Sequence, residues 1–128
     1  MNYIETVSRN IGNRGKYDYM TIIMDKMIFE GPFEIDGHEL PNSSGIYFVS
    51  TRSAGGIKVL GIYEGDDISA SFQSNEKRQC WKKYGDDGLN VYYVITNTSK
   101  EKREAARYKM INDRFYTLPC VDPISDDF

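Results

Sequence analysis

One tripeptide occurs twice in this chain, as Gly45-Ile46-Tyr47 and Gly61-Ile62-Tyr63. Each copy sits in a run rich in β-branched and aromatic residues, which predicts a strand ending in, or carrying, a tyrosine. Directly after the second copy, Glu64, Asp66 and Asp67 form an acidic cluster. A hard divalent cation requires carboxylates of this kind, although Asp66 or Asp67 would serve equally well as the N-cap of a short helix. Further along lies a basic stretch. Glu76 to Lys109 holds nine basic and five acidic residues, a net of +4, and the remainder carries −7, summing to −3. A polyanion could dock only there, and Lys77, Arg78, Lys82, Lys83, Arg103 and Arg107 are the candidate binding residues. Solvated helix faces would explain the same charges.

Other chemistries are poorly represented. There is no Gly-rich phosphate loop and no zinc-ligand spacing. His38, the one histidine, lies in an expected loop with no Cys or Ser partner and reads as a surface residue. Cys80 and Cys120 are too few for a disulfide scaffold and lack metal-ligand spacing, so buried free thiols are expected. A net charge of −3 disfavours a dedicated nucleic-acid binder. No apolar run reaches the ~18 residues needed to cross a bilayer. The start MNYIETVSRNIG lacks a signal-peptide pattern, which predicts a cytoplasmic protein.

Elements must position the tyrosines. With 128 residues the chain fits one domain. Residues 1–16 read as a polar leader. Tyr17, Met20, Met24, Met27 and Ile28 fall at helical spacing and predict a helix over 17–29, ended by Glu30-Gly31-Pro32-Phe33. Strands are expected at 46–51, 58–63 and 90–96, the first two joined through Gly55-Gly56. Gly61, with no side chain to pack inside a strand, marks a bulge or a close approach. Helices are expected at 68–74, 75–83 and 99–116, the last opened by Ser99 and carrying an apolar stripe of Ala105, Tyr108, Ile111 and Phe115. Trp81, Tyr108 and Ile111 should be buried. The result is an α+β fold, a small three-stranded antiparallel sheet flanked by helices. Residues 1–30 would form a leader and helix, 31–122 the main domain, and 123–128 an acidic tail.

The paired Gly-Ile-Tyr strands resemble the GIY-YIG nuclease family. The resemblance spans roughly residues 31–122, through Gly31-Pro32-Phe33, Leu40-Pro41, Gly45-Ile46-Tyr47, Lys58-Val59-Leu60, Cys80-Trp81 and Pro119-Cys120. It implies a single-metal endonuclease site with two tyrosines on a water, a glycine for substrate approach, a helical arginine on phosphate, and a glutamate on Mg²⁺ or Mn²⁺. Anchored on Cys80-Trp81, the arginine position holds Ser71, a frequent histidine position holds Asn75, the second tyrosine position holds Gly61, and its glycine position holds Tyr63. A register slipped by two makes Tyr63-Glu64-Gly65 the second motif instead, with every side chain on the same face. Anchored on Pro119-Cys120, the metal glutamate position holds Lys109, whose ammonium would repel a cation. Glu104 lies five residues earlier, about 7.5 Å along the helix and roughly 140° around it, too far to substitute.

The remnant positions are therefore Tyr47, Tyr63, Ser71, Asn75 and Lys109, with no metal or other cofactor expected. The chain is expected to be a GIY-YIG-fold protein that has lost nuclease activity and acts by binding. A protein with an acidic or mixed surface is the expected partner and nucleic acid a disfavoured one. Fold analogy would place it in a phage or mobile-element system. The alternative is a divergent metal-dependent endonuclease using Tyr47, Tyr63 and a relocated acid among Glu64, Asp66 and Asp67.

Overall fold

The computed structural model describes residues 6–10, 18–37, 39–53, 56–85, 88–115 and 118–122. Its strands are β1 (Thr6–Asn10), β2 (Asp18–Met24), β3 (Met27–Glu34), β4 (Gly45–Ser53) and β5 (Gly56–Gly65), followed by β6 (Asn90–Ile95) after two helices. Those helices are α1 (Ile68–Gln73) and α2 (Arg78–Tyr84), and α3 (Lys100–Met110) follows β6 and runs into a π-helical turn, Ile111–Phe115. The strands form one six-stranded sheet in the order β1-β2-β3-β6-β4-β5, every pairing antiparallel. The α+β class stands, and the sheet is twice as wide as the three strands expected. The expected strands are β4, β5 and β6, and β3, β2 and β1 extend the sheet beyond β6.

The helix expected over 17–29 is, across its described residues 18–29, a hairpin. Ile22, Met24 and Phe29 are buried while Ile23 and Ile28, which pair across the strands, are exposed. That alternation is the period of a strand with one buried face. The methionines fit helical and alternating patterns alike. The turn residues Asp25 and Lys26 both have positive φ, the backbone of a two-residue hairpin loop, without the Asn-Gly signature that announces one. Gly31-Pro32 interrupts a strand instead of ending a helix, with a shift in the β3–β6 register between Glu30 and Phe33.

Two cores flank the sheet. Ile46, Phe48, Ile62 and Tyr92 pack on one face against Met110, Ile111 and Phe115 of the last helical segment. Phe48 stacks on Tyr92 at 4.7 Å and meets Phe29 edge-on at 5.2 Å. On the other face Tyr47, Val49, Leu60 and Tyr63 pack against Ile68 and Phe72 of α1 and Trp81 of α2. Each large apolar side chain so buried contributes about 1.5–3 kcal/mol. Trp81 and Ile111 are buried as expected, whereas Tyr108 and Ala105 are exposed. The buried face of α3 carries Arg103 and Met110 instead. A stripe holding an arginine is not visible to a hydrophobic pattern.

Helix starts follow their capping residues. Asp67 accepts from Ala70 N at 3.1 Å and opens α1, and Ser99 accepts from Lys102 N at 3.2 Å and opens α3. His38 and the tail 123–128 lie outside the described residues. Among the described residues no helix is long and apolar enough to cross a membrane.

Candidate functional site

The β4–β5 ladder pairs Tyr47 with Tyr63 and Gly45 with Gly65, so the two tyrosines share a face, their rings 5.4 Å apart. The register shifts between Val49 and Ser50 opposite Gly61 and Val59, leaving Leu60 as an extra residue, the bulge that Gly61 foretold. A Cβ on Gly61 would collide with the Tyr63 hydroxyl. The phenol of Tyr63 thus lies back over Gly61 and occupies the space where a side chain at position 61 would begin.

Neither phenol is free. The Tyr47 hydroxyl lies 2.8 Å from Ser71 Oγ and accepts from Asn75 Nδ2 at 3.0 Å. Tyr63 donates to the carbonyl of Cys120 at 2.6 Å and accepts from Trp81 Nε1 at 2.9 Å. Burial pushes both phenols above the usual tyrosine range, with the hydrogen bonds from Ser71 and Asn75 opposing the rise at Tyr47 and that from Trp81 opposing it at Tyr63. A phenol that is buried, hydrogen-bonded and hard to ionise is a poor base for a water.

Above Tyr63 opens a cleft of about 650 Å³. Tyr63 and Glu64 of β5, Ser71, Ser74 and Asn75 beside α1, Glu76 and Lys77 before α2, Glu104, Arg107 and Tyr108 of α3, and Val121 and Asp122 line it. Of the residues singled out from the sequence, Tyr63, Ser71 and Asn75 line this cleft, and Tyr47 is buried beneath the last two. Lys109 is exposed on α3 and is not among the lining residues. Glu104 and Arg107 line the cleft instead. Glu104, Arg107 and Tyr108 stand at helical i, i+3, i+4 spacing, a signal present in the sequence but outvoted by the apolar stripe.

The acidic cluster is engaged within the fold. Arg103, 2% exposed, donates from Nε to Glu64 at 3.0 Å and from its terminal nitrogens to Asp66 and the carbonyl of Thr98. Asp67 caps α1 and accepts from Asn42. All three candidate metal acids therefore have protein partners, and no group of three or more metal-ligating side chains occurs among the described residues.

The six candidate basic residues are dispersed. Arg103 is buried. Arg107 donates from Nε to the carbonyl of Ile62 at 2.5 Å on the outer edge of the sheet, and burial lowers its pKa from the ordinary arginine value. Lys77 pairs with Asp122 at 2.5 Å. Arg78 lies 4.5 Å over the ring of Phe72 and donates to its carbonyl at 3.0 Å. Lys82 lines a separate cleft with Glu34, Asp36 and Arg52, and Lys83 is exposed on α2. These residues do not make one basic surface. Around the Tyr63 cleft, four carboxylates (Glu64, Glu76, Glu104 and Asp122) outnumber two cations, Lys77 and Arg107.

The cysteines also differ from expectation. Cys80 and Cys120 are joined in a disulfide and are not free thiols. The two anchors Cys80-Trp81 and Pro119-Cys120, 40 residues apart in sequence, meet against the second tyrosine. No protein-family model, curated protein or solved structure matches this chain.

Proposed function

We propose that this protein is a GIY-YIG-like nuclease relic that works by binding, with a protein partner seated in the cleft above Tyr63. The observation that carries the reading is the hydrogen bonding of both tyrosine hydroxyls inside the fold. What would be catalytic groups in a nuclease act here as internal ties. The cleft's excess of carboxylates further disfavours a phosphate backbone. A mixed-charge protein surface, carrying basic groups for Glu104 and Glu76 and an acid for Arg107, suits it better. A role in a phage or mobile-element system belongs to the same proposal, and the Cys80–Cys120 disulfide weighs against the cytoplasmic placement expected from the sequence, because the cytosol keeps thiols reduced.

Glu104 favours a second reading, since a carboxylate in the same cleft as Tyr63 is what a divergent metal-dependent endonuclease would need. One experiment separates the two. Plasmid and single-stranded DNA incubated with the protein and Mg²⁺ or Mn²⁺ should stay intact, and low-salt mobility shifts should be weak. Cleavage that disappears on Tyr47→Phe and on Glu104→Gln would establish the enzyme. Tight, salt-sensitive DNA binding lost on Lys82→Glu and Arg107→Glu would establish a nucleic-acid partner instead.

A further inference from the structure

The segment 118–122 is one wall of the cleft, and its ties converge on a single residue. Cys120 is buried, and its N–H donates to the carbonyl of Leu60 at 2.9 Å. Leu60 lies on β5, the strand at one end of the sheet, so the segment covers an edge group that would otherwise lack a ladder partner. The carbonyl of Cys120 accepts from Tyr63, and its sulfur is bonded to Cys80 on α2. Val121 and Asp122, the next two residues, line the cleft itself. The remaining tie to the α2 side, Lys77 to Asp122, has its acid largely in solvent, and such pairs hold little.

We propose that the Cys80–Cys120 disulfide is a redox latch that holds this wall shut, so that reduction opens the cleft. The proposal concerns regulation of the site assigned above and rests on that reading only for its consequence for binding. A dithiol reductant supplies the electrons. Its thiolate attacks the half-buried sulfur of Cys80, and the Cys120 thiolate leaves and takes up a proton. The second thiol of the reductant then displaces Cys80, giving two protein thiols and an oxidised cyclic dithiol. The disulfide closes a long loop between α2 and the end of the described chain. Breaking it returns that loop's freedom to 118–122 and leaves the two Cys120 hydrogen bonds, the Lys77–Asp122 pair and the packing of Leu118, Cys120 and Val121 to retain it. When Cys120 departs, Tyr63 loses its acceptor, and the phenol that the fold had occupied faces the opened cleft.

Hydrogen exchange on the full chain tests the latch without any partner. Dithiothreitol is the reductant, and Cys80→Ser, at the half-buried position, is the parallel variant. The expected result is exchange of the Cys120 amide at least about tenfold faster in both the reduced protein and Cys80→Ser, with the Phe48 and Tyr92 amides unchanged. Three outcomes would overturn it: unchanged protection at Cys120, protection lost across the whole sheet, or two titratable thiols in protein kept under air. Partner capture by oxidised and reduced protein is read separately. A latch that opens while capture stays the same under both conditions refutes the cleft as the partner site and leaves the latch in place.

Discussion

At the scale of the residue, the contact between Gly61 and the ring of Tyr63 is the most instructive feature. Glycine at 61 and tyrosine at 63 are each unremarkable in a strand. Together they put one phenol between Trp81 and Cys120. Tyr63→Phe should cost about 1–3 kcal/mol, because it leaves a buried indole N–H without its acceptor, and urea unfolding measures it. Gly61→Ala should destabilise through collision with the Tyr63 hydroxyl. That cost should shrink but not vanish in the Tyr63→Phe background, where the nearest colliding atom is gone and the ring Cζ, 2.5 Å from the same Cβ, remains. A double-mutant cycle with no coupling between the two sites would refute this account of the ring. The residue types of this arrangement are legible in the sequence, but its direction is not. Whether a tyrosine leans forward or back along its strand depends on what the helices above leave room for.

At the scale of the element, α3 decides which residues reach the site. Its sequence offers two faces, one built on Ala105 and Tyr108 and one on Arg103, Arg107 and Met110. Hydrophobic periodicity selects the first. The fold selects the second, because Arg103 finds Glu64, Asp66 and Thr98 where α3 crosses the end of β5. A buried guanidinium is tolerable only with such partners, and those partners lie on other elements. Lys109→Glu supplies the test. Were position 109 the ancestral metal position, this change would rebuild the carboxylate and Mg²⁺ should bind. With Lys109 exposed outside the cleft, calorimetry should register no gain in Mg²⁺ or Mn²⁺ binding, and stability should change by no more than about 0.5 kcal/mol.

At the scale of the whole molecule, the buried phenols tie stability to pH. Burial raises Tyr47 and Tyr63 and pushes Tyr92 up to about 12. In the unfolded chain each would ionise near its ordinary value, about 10. A group whose folded pKa lies above its unfolded one contributes fully below the unfolded value and loses that contribution as pH rises through the folded one. Thermal stability should therefore be level up to about pH 10 and fall steeply above it. The phenolate absorbance of the buried tyrosines should appear only with unfolding. A smooth titration of every tyrosine in the folded state would contradict the buried placement.

The sequence alone determined the features that are local in origin. β4, β5 and β6 follow from runs of β-branched and aromatic residues, the starts of α1 and α3 from Asp67 and Ser99, and the bulge from Gly61, because each depends on neighbours within a few residues. The tertiary structure decided whatever needed a distant partner. The 18–29 segment became a hairpin because a sheet edge at β6 was there to receive β3. The cysteines became a pair because folding brings α2 and the segment after α3 to the same tyrosine. The acidic cluster became a set of caps and ion pairs because Arg103 and Asn42 arrive from elsewhere in the chain. The cleft is lined by Glu104 and Arg107 and not by Lys109 because Arg103, tied to Glu64, Asp66 and Thr98, fixes which face of α3 meets β5, and those partners lie far away in the sequence.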